Sequence, residues 1–179
     1  MIQGSLRIAR WIDALNERVG RMVNWLVLGL VLLSAGNALF RYAFGLGSNA
    51  WLELQWYLFA AIFLLAAGDT LRHNGHVRVD VFYSRFAPRT QAWIDLFGTA
   101  IFLVPVMALI LWFSWEGFWL SWQSQEVSPD EGGLIRWPVR LLLPLGLLLL
   151  ILQGVSEMIK RVAFLQGKGG LLGDTEAQS

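Results

Sequence analysis

Residues 137–159 read WPVRLLLPLGLLLLILQGVSEMI, with Arg140 near the start, Glu157 near the end and no charge between them. At about 1.5 Å per residue, such a run crosses the roughly 30 Å hydrocarbon core of a bilayer. A helix on the surface of a soluble protein would need a polar side, which this run lacks. Comparable runs occupy residues 22–40, 51–71 and 93–112, and the charges fall between these runs or, as with Glu53, Asp69 and Asp95, close to their ends. The expected fold class is therefore all-α integral membrane, with four transmembrane helices in a single domain over residues 1–165 and a flexible cytoplasmic tail over 166–179. Trp51, Trp93, Trp112, Trp115 and Trp137 stand at or near the expected span ends. An indole there buries its ring and keeps its N–H hydrated.

The basic residues give the orientation. The first segment (Arg7, Arg10, Arg18, Arg21), the second connection (Arg72, Arg78, Arg85, Arg89) and the last segment (Lys160, Arg161, Lys168) hold all of the 14 Lys and Arg except Arg41, Arg136 and Arg140. Positive charge favours the cytoplasmic side, so both termini and the middle connection are expected there, in agreement with an even number of spans. The first apolar run follows an amphipathic segment and is long enough to span, so it reads as a retained helix and not as a signal peptide.

Residues 4–21 place Ile8, Ile12, Leu15, Val19 and Met22 at helical spacing, with Trp11 beside them and Arg7 and Arg10 on other faces. This predicts an N-terminal amphipathic interfacial helix on anionic headgroups; the alternative is a cytoplasmic extension of the first span. Trp11, Arg7, Arg10, Trp93 and Trp137 are the expected lipid-interface residues. After the turn signal Asn74-Gly75, the spacing of Val79, Phe82, Tyr83 and Phe86 predicts a short cytoplasmic surface helix that stops before Pro88. The third connection, 113–136, carries Glu116, Glu126, Asp130 and Glu131 with Ser128-Pro129 and Gly132-Gly133, the composition of an acidic external loop.

The chemical inventory is short. The chain has no cysteine, which excludes disulfides, thiolate catalysis, iron–sulfur clusters and cysteine-ligated zinc. A net charge of +1 gives no field for nucleic acid. Glu53, Asp69, Asp95, Arg140 and Glu157 all lie close to span ends, whereas a transporter or pump keeps ionisable groups deep in its helices. The deepest polar residues, Asn24, Ser34, Asn37, Gln55 and Gln153, read as hydrogen-bonding groups between helices. A small multidrug exporter needs a buried carboxylate in its first span, where this chain offers Asn37. A four-helix cytochrome needs separated histidines, and His73 and His76 share one turn. Neither a catalytic residue, a metal nor a cofactor is expected. Pro105 and Pro144 are expected to kink their helices.

Trp51-x-Glu53 opening the second span, then Trp56, Gly68-Asp69, Arg72, His76, Val77, Val79 and Asp80, resembles the small membrane subunit of TRAP (tripartite ATP-independent periplasmic) transporters, the DctQ family. The segments Gly133-Leu134-Ile135-Arg136-Trp137-Pro138, Leu143-Pro144-Leu145-Gly146 and Leu152-Gln153-Gly154 extend the resemblance into the fourth span. Many members carry two adjacent acidic residues where this chain has Glu53-Leu54.

The resemblance implies a complex in the bacterial inner membrane with a much larger multi-helix subunit, which moves substrate and sodium by an elevator-like motion. It also implies a soluble periplasmic binding protein that delivers an organic acid or related solute. The small subunit would enlarge the static scaffold. Trp51, Glu53, Trp56, Asp69, Arg72, His76 and Asp80 are then the candidates for the partner interface, with Glu53 pairing to a basic group of the partner. Glu126, Asp130 and Glu131 are the candidates for docking the binding protein. The alternatives from other classes are a membrane-anchor or cytochrome-type subunit of a respiratory enzyme, and a self-assembling small transporter.

Overall fold

The computed structural model describes residues 2–45, 47–75 and 83–167. These form four helices, each long and apolar enough to cross a membrane: α1 (Ile2–Phe44), α2 (Asn49–Arg72), α3 (Pro88–Ser124) and α4 (Trp137–Leu165). Local chemistry sets several of their ends. Pro88 and Pro138 occupy first turns, where a missing N–H costs nothing. Gly45, at φ 67°, closes α1 by donating its N–H to the Arg41 carbonyl at 3.1 Å. Gln125 ends α3 at φ 48°, and its side-chain amide donates to the Trp122 carbonyl at 2.8 Å.

The helices are arranged around α4, which touches the other three. Helices α1, α2 and α4 pack as a mutual triad, and α3 packs chiefly on α4. This gives the bundle a terminal end, where α1 begins and α4 finishes, and a loop end, where short segments join α1 to α2 and α3 to α4. The α2–α4 crossing is close because of one glycine: a Cβ at Gly146 would lie 2.6 Å from the Leu64 carbonyl oxygen.

Pro105 in α3 removes a helical N–H, and the wide π turn Thr99–Leu103 immediately precedes it and takes up the mismatch. That turn lies on Gly154 of α4, where a Cβ would be 3.0 Å from Leu103 and 3.3 Å from Thr99.

The interior is rich in small and polar residues: Ala9, Asn16, Ala61, Ala92, Gln153 and Ser156 are buried beside a few aliphatic ones, Leu6, Ile12, Val23, Leu71 and Leu147, while Trp25, Leu32, Phe63, Phe102 and Trp112 face outward. In an apolar solvent, large aliphatic residues gain nothing by hiding, so helices meet through small side chains and hydrogen bonds.

Two sequence-based expectations can be set beside the helices. Residues 4–21 and the first span form one unbroken helix, and its buried stripe is Leu6, Ala9, Ile12, Asn16, Gly20 and Val23. Ile8 and Met22, expected to share the apolar face with Ile12, are 56% and 68% exposed. The third connection begins only after Ser124, because residues 113–124 continue α3 as an aromatic-rich helix. Of the surface helix expected before Pro88, Val79 and Phe82 lie outside the described residues. Within them, the Phe86 N–H donates to the Tyr83 carbonyl at 3.2 Å.

Candidate functional site

The charged groups of the bundle gather at its two ends. At the terminal end, Gln153 is fully buried between α1 and α4 and acts as a switchboard for hydrogen bonds. Its carbonyl accepts from Asn16 Nδ2 at 2.9 Å, and its amide donates to Asp13 Oδ1 at 2.8 Å and Glu157 Oε1 at 3.1 Å. One turn on, Ser156 Oγ donates to the Ala9 carbonyl at 3.2 Å and to Asp13 at 2.7 Å. The Lys160 ammonium bridges Asp13 and Glu157, so one cation serves two carboxylates. Asn16 Oδ1 has no hydrogen-bond partner in the described structure and faces Gly68, where a Cβ would collide with it.

The same layer extends to α2 and α3. Arg72 Nη1 lies 3.2 Å from Glu17 and 3.7 Å from Asp69, joining α2 to α1. Arg161 lies 3.1 Å from Asp95, which also accepts from the Tyr83 hydroxyl at 2.8 Å, joining α4 to α3. Asp13, Glu17, Asp69, Asp95 and Glu157 therefore each meet a donor or cation within this chain.

At the loop end the geometry differs. Residues 125–136 fold back through a single antiparallel bridge, Val127 with Ile135. Within the fold-back the Ser128 N–H donates to the Leu134 carbonyl at 3.0 Å, and the Arg136 N–H to the Glu126 carbonyl at 2.8 Å. The Glu53 carboxylate, 6% exposed, reaches into this loop from α2. It accepts the Leu134 N–H at 2.6 Å and the Ser128 hydroxyl. The Tyr57 hydroxyl adds a bond to the Ile135 carbonyl at 3.2 Å, and Asn49 Nδ2 one to the Glu131 carbonyl at 3.0 Å.

The residues singled out by sequence thus fall into distinct groups. Glu53, expected to pair with a partner's basic group, is turned inward as an acceptor for this chain's own loop. Asp69 and Arg72 are brought together, with Glu17 as their third member. Trp51 and Trp56 are exposed, Trp51 lying against Phe40 with ring centroids 6.5 Å apart. His76 and Asp80 lie outside the described residues. Glu126 is held by Arg140 at 2.8 Å and Arg136 at 3.6 Å, whereas Asp130 and Glu131 are exposed. Arg7, Arg10 and Trp11 face outward on α1. Trp93 stacks on Phe97 at 5.4 Å, and Trp137 meets Trp122 edge-on at 4.5 Å.

The sequence assigned no site role to Asp13, Asn16 or Ser156 and counted Lys160 only toward orientation, although their spacing on α1 and α4 forms two matching polar stripes that could have been found. The role of Leu134 left no signal, because its contribution is a backbone N–H.

Fold and site together define a multi-pass membrane protein whose ionisable groups lock its own helix ends. The family described as Tripartite ATP-independent periplasmic transporters, DctQ component, matches residues 30–164. The chain belongs to that family, the small membrane component of TRAP transporters. No curated protein and no solved structure matches the chain.

Proposed function

We propose that this chain scaffolds the large transport subunit of a sodium-driven TRAP importer for an organic acid or related solute. The observation that carries the reading is the distribution of charge. Residues 22–40, 54–68, 96–115 and 141–156 contain no Asp, Glu, Lys, Arg or His. Carrying an ion and an anionic substrate through lipid requires ionisable or otherwise dedicated polar groups at depth. In this chain the ionisable groups flank these uncharged stretches, and the buried ones are committed to its own helices and loop. The transport chemistry then belongs to the partner.

In this reading the basic terminal end lies in the cytoplasm and the loop end in the periplasm, in the bacterial inner membrane. Trp51 and Trp56 offer exposed aromatic surface to the large subunit. Asp130 and Glu131 present acidic groups to a periplasmic binding protein, while Glu126 is neutralised by Arg136 and Arg140.

Reconstitution in vesicles under an inwardly directed sodium gradient tests the role. Uptake is expected only with this chain, the large subunit and the binding protein together, and uptake by this chain alone would overturn it. Reversing the charges of Asp130 and Glu131 is expected to lower uptake at limiting binding protein, and unchanged uptake there would remove the docking role.

A further inference from the structure

The exposed polar side chains of the spans point to one surface. Among the described residues of the four uncharged stretches, Asn24 and Ser34 are the only exposed Asn, Gln, Ser or Thr. Gln55, Thr99 and Ser114 are half-buried, and Asn37, Gln153 and Ser156 are buried. Neither Asn24 nor Ser34 makes a side-chain hydrogen bond to the described structure.

Both lie inside the uncharged stretch of α1. Gly20 sits against Asp69 in the charged layer of the terminal end. Four residues on, at 1.5 Å per residue, Asn24 is about 6 Å below that layer, and Ser34 is about 15 Å deeper. An unpaired amide there is costly in lipid, which offers it no partner.

The two residues share a face of α1. Asn24, Val27, Val31, Ser34, Ala35 and Ala38 recur at helical spacing, and all are exposed. The adjoining outward face carries Trp25, Leu28, Leu32 and Leu39, the composition of a lipid contact. The first face continues the row Ala9, Asp13, Asn16 and Gly20. Along the terminal half of α1, α4 covers that row through bonds from Ser156 to Ala9 and Asp13 and from Asn16 to Gln153. Beyond Gly20 the row remains small and polar but lacks its cover. One stripe of α1 is thus half occupied, and its open half sets Asn24 and Ser34 among Val and Ala residues.

We infer that a transmembrane helix of the large subunit occupies this open half, packing against Val31, Ala35 and Ala38 and hydrogen-bonding to Asn24 and Ser34. The inference rests on the scaffold reading above and specifies the surface it uses. Small residues admit close backbone approach, and polar side chains add interhelical hydrogen bonds, each on the order of 1 kcal/mol.

The test uses the complex assembled in native membranes, with photoreactive benzoyl-phenylalanine placed at Val31 or, separately, at Leu32. Illumination is expected to join the large subunit to the chain at position 31 and not at 32. An adduct at 32 alone, a dimer of this chain from 31, or no protein adduct from 31 would overturn the assignment. Co-purification of the unmodified complex in mild detergent separates the two levels. If the large subunit is recovered while position 31 stays silent, the face is wrong and the scaffold role stands. If it is not recovered with the wild-type chain, the role itself fails and the face with it. As a second measure, Ala35→Leu with Ala38→Leu is expected to cut recovery of the large subunit about tenfold. Leu32→Ala with Leu39→Ala is expected to leave recovery within about twofold, and the reverse pattern would overturn the assignment.

Discussion

The two ends of the bundle use charge in different ways. At the terminal end, side chains meet side chains: Gln153 and Lys160 of α4 hold Asp13 and Asn16 of α1, Arg72 of α2 reaches Glu17, and Arg161 of α4 reaches Asp95 of α3. At the loop end, one carboxylate holds backbone: Glu53 accepts the Leu134 N–H and thereby fixes a fold-back whose own ladder is a single bridge. The terminal network joins helices that tertiary packing also joins, so its loss weakens contacts that persist. The Glu53 clamp orders a segment whose other ties are single bonds from Tyr57 and Asn49 to its backbone and the partly exposed pairs of Glu126. Buried polar groups therefore serve stability at one end and the shape of an exposed surface at the other.

Substitutions can separate these roles, and the largest effect is expected in the middle that both ends share. Gly146→Val places a side chain against the Leu64 backbone, which cannot swing aside as a side chain would. It is expected to destabilise the bundle by about 3 kcal/mol, read as thermal unfolding in detergent, with both ends loosening together. A loss confined to one end would show that the ends do not depend on the crossing.

Gln153→Ala should follow, at about 2 kcal/mol, because it removes interhelical bonds and leaves Asn16 and Asp13 short of partners in a buried site. Protease access to residues 125–136 should not change. Glu53→Ala is expected to do the opposite: limited proteolysis of that loop should accelerate about tenfold while the unfolding midpoint moves less than for Gln153→Ala. If the loop stays protected, the clamp is dispensable. The smallest effect is expected for Arg140→Ala, whose pair with Glu126 is partly exposed. It should cost less than about 1 kcal/mol and should fade as salt is raised from low to high concentration.

The number of helices and the ends at which charge collects could be read directly from the chain, because lipid imposes a length and a composition on every span. Residues 137–159 are legible as a membrane helix without knowing any neighbour, and the apolar stretches between boundary charges mark four crossings. Which side of each helix faces inward was not legible from apolar periodicity. In water the apolar stripe points to the core, but in lipid Ile8 and Met22 can face out while Asn16 and Gly20 face in. The extent of α3 was hidden for a related reason, since Glu116 interrupts the apolar run without interrupting the helix. The partners of Glu53 depended on tertiary structure most of all. A carboxylate near a span end is equally suited to a cation, to water or to a backbone N–H. Only the fold-back that brings Leu134 to within 2.6 Å selects among them.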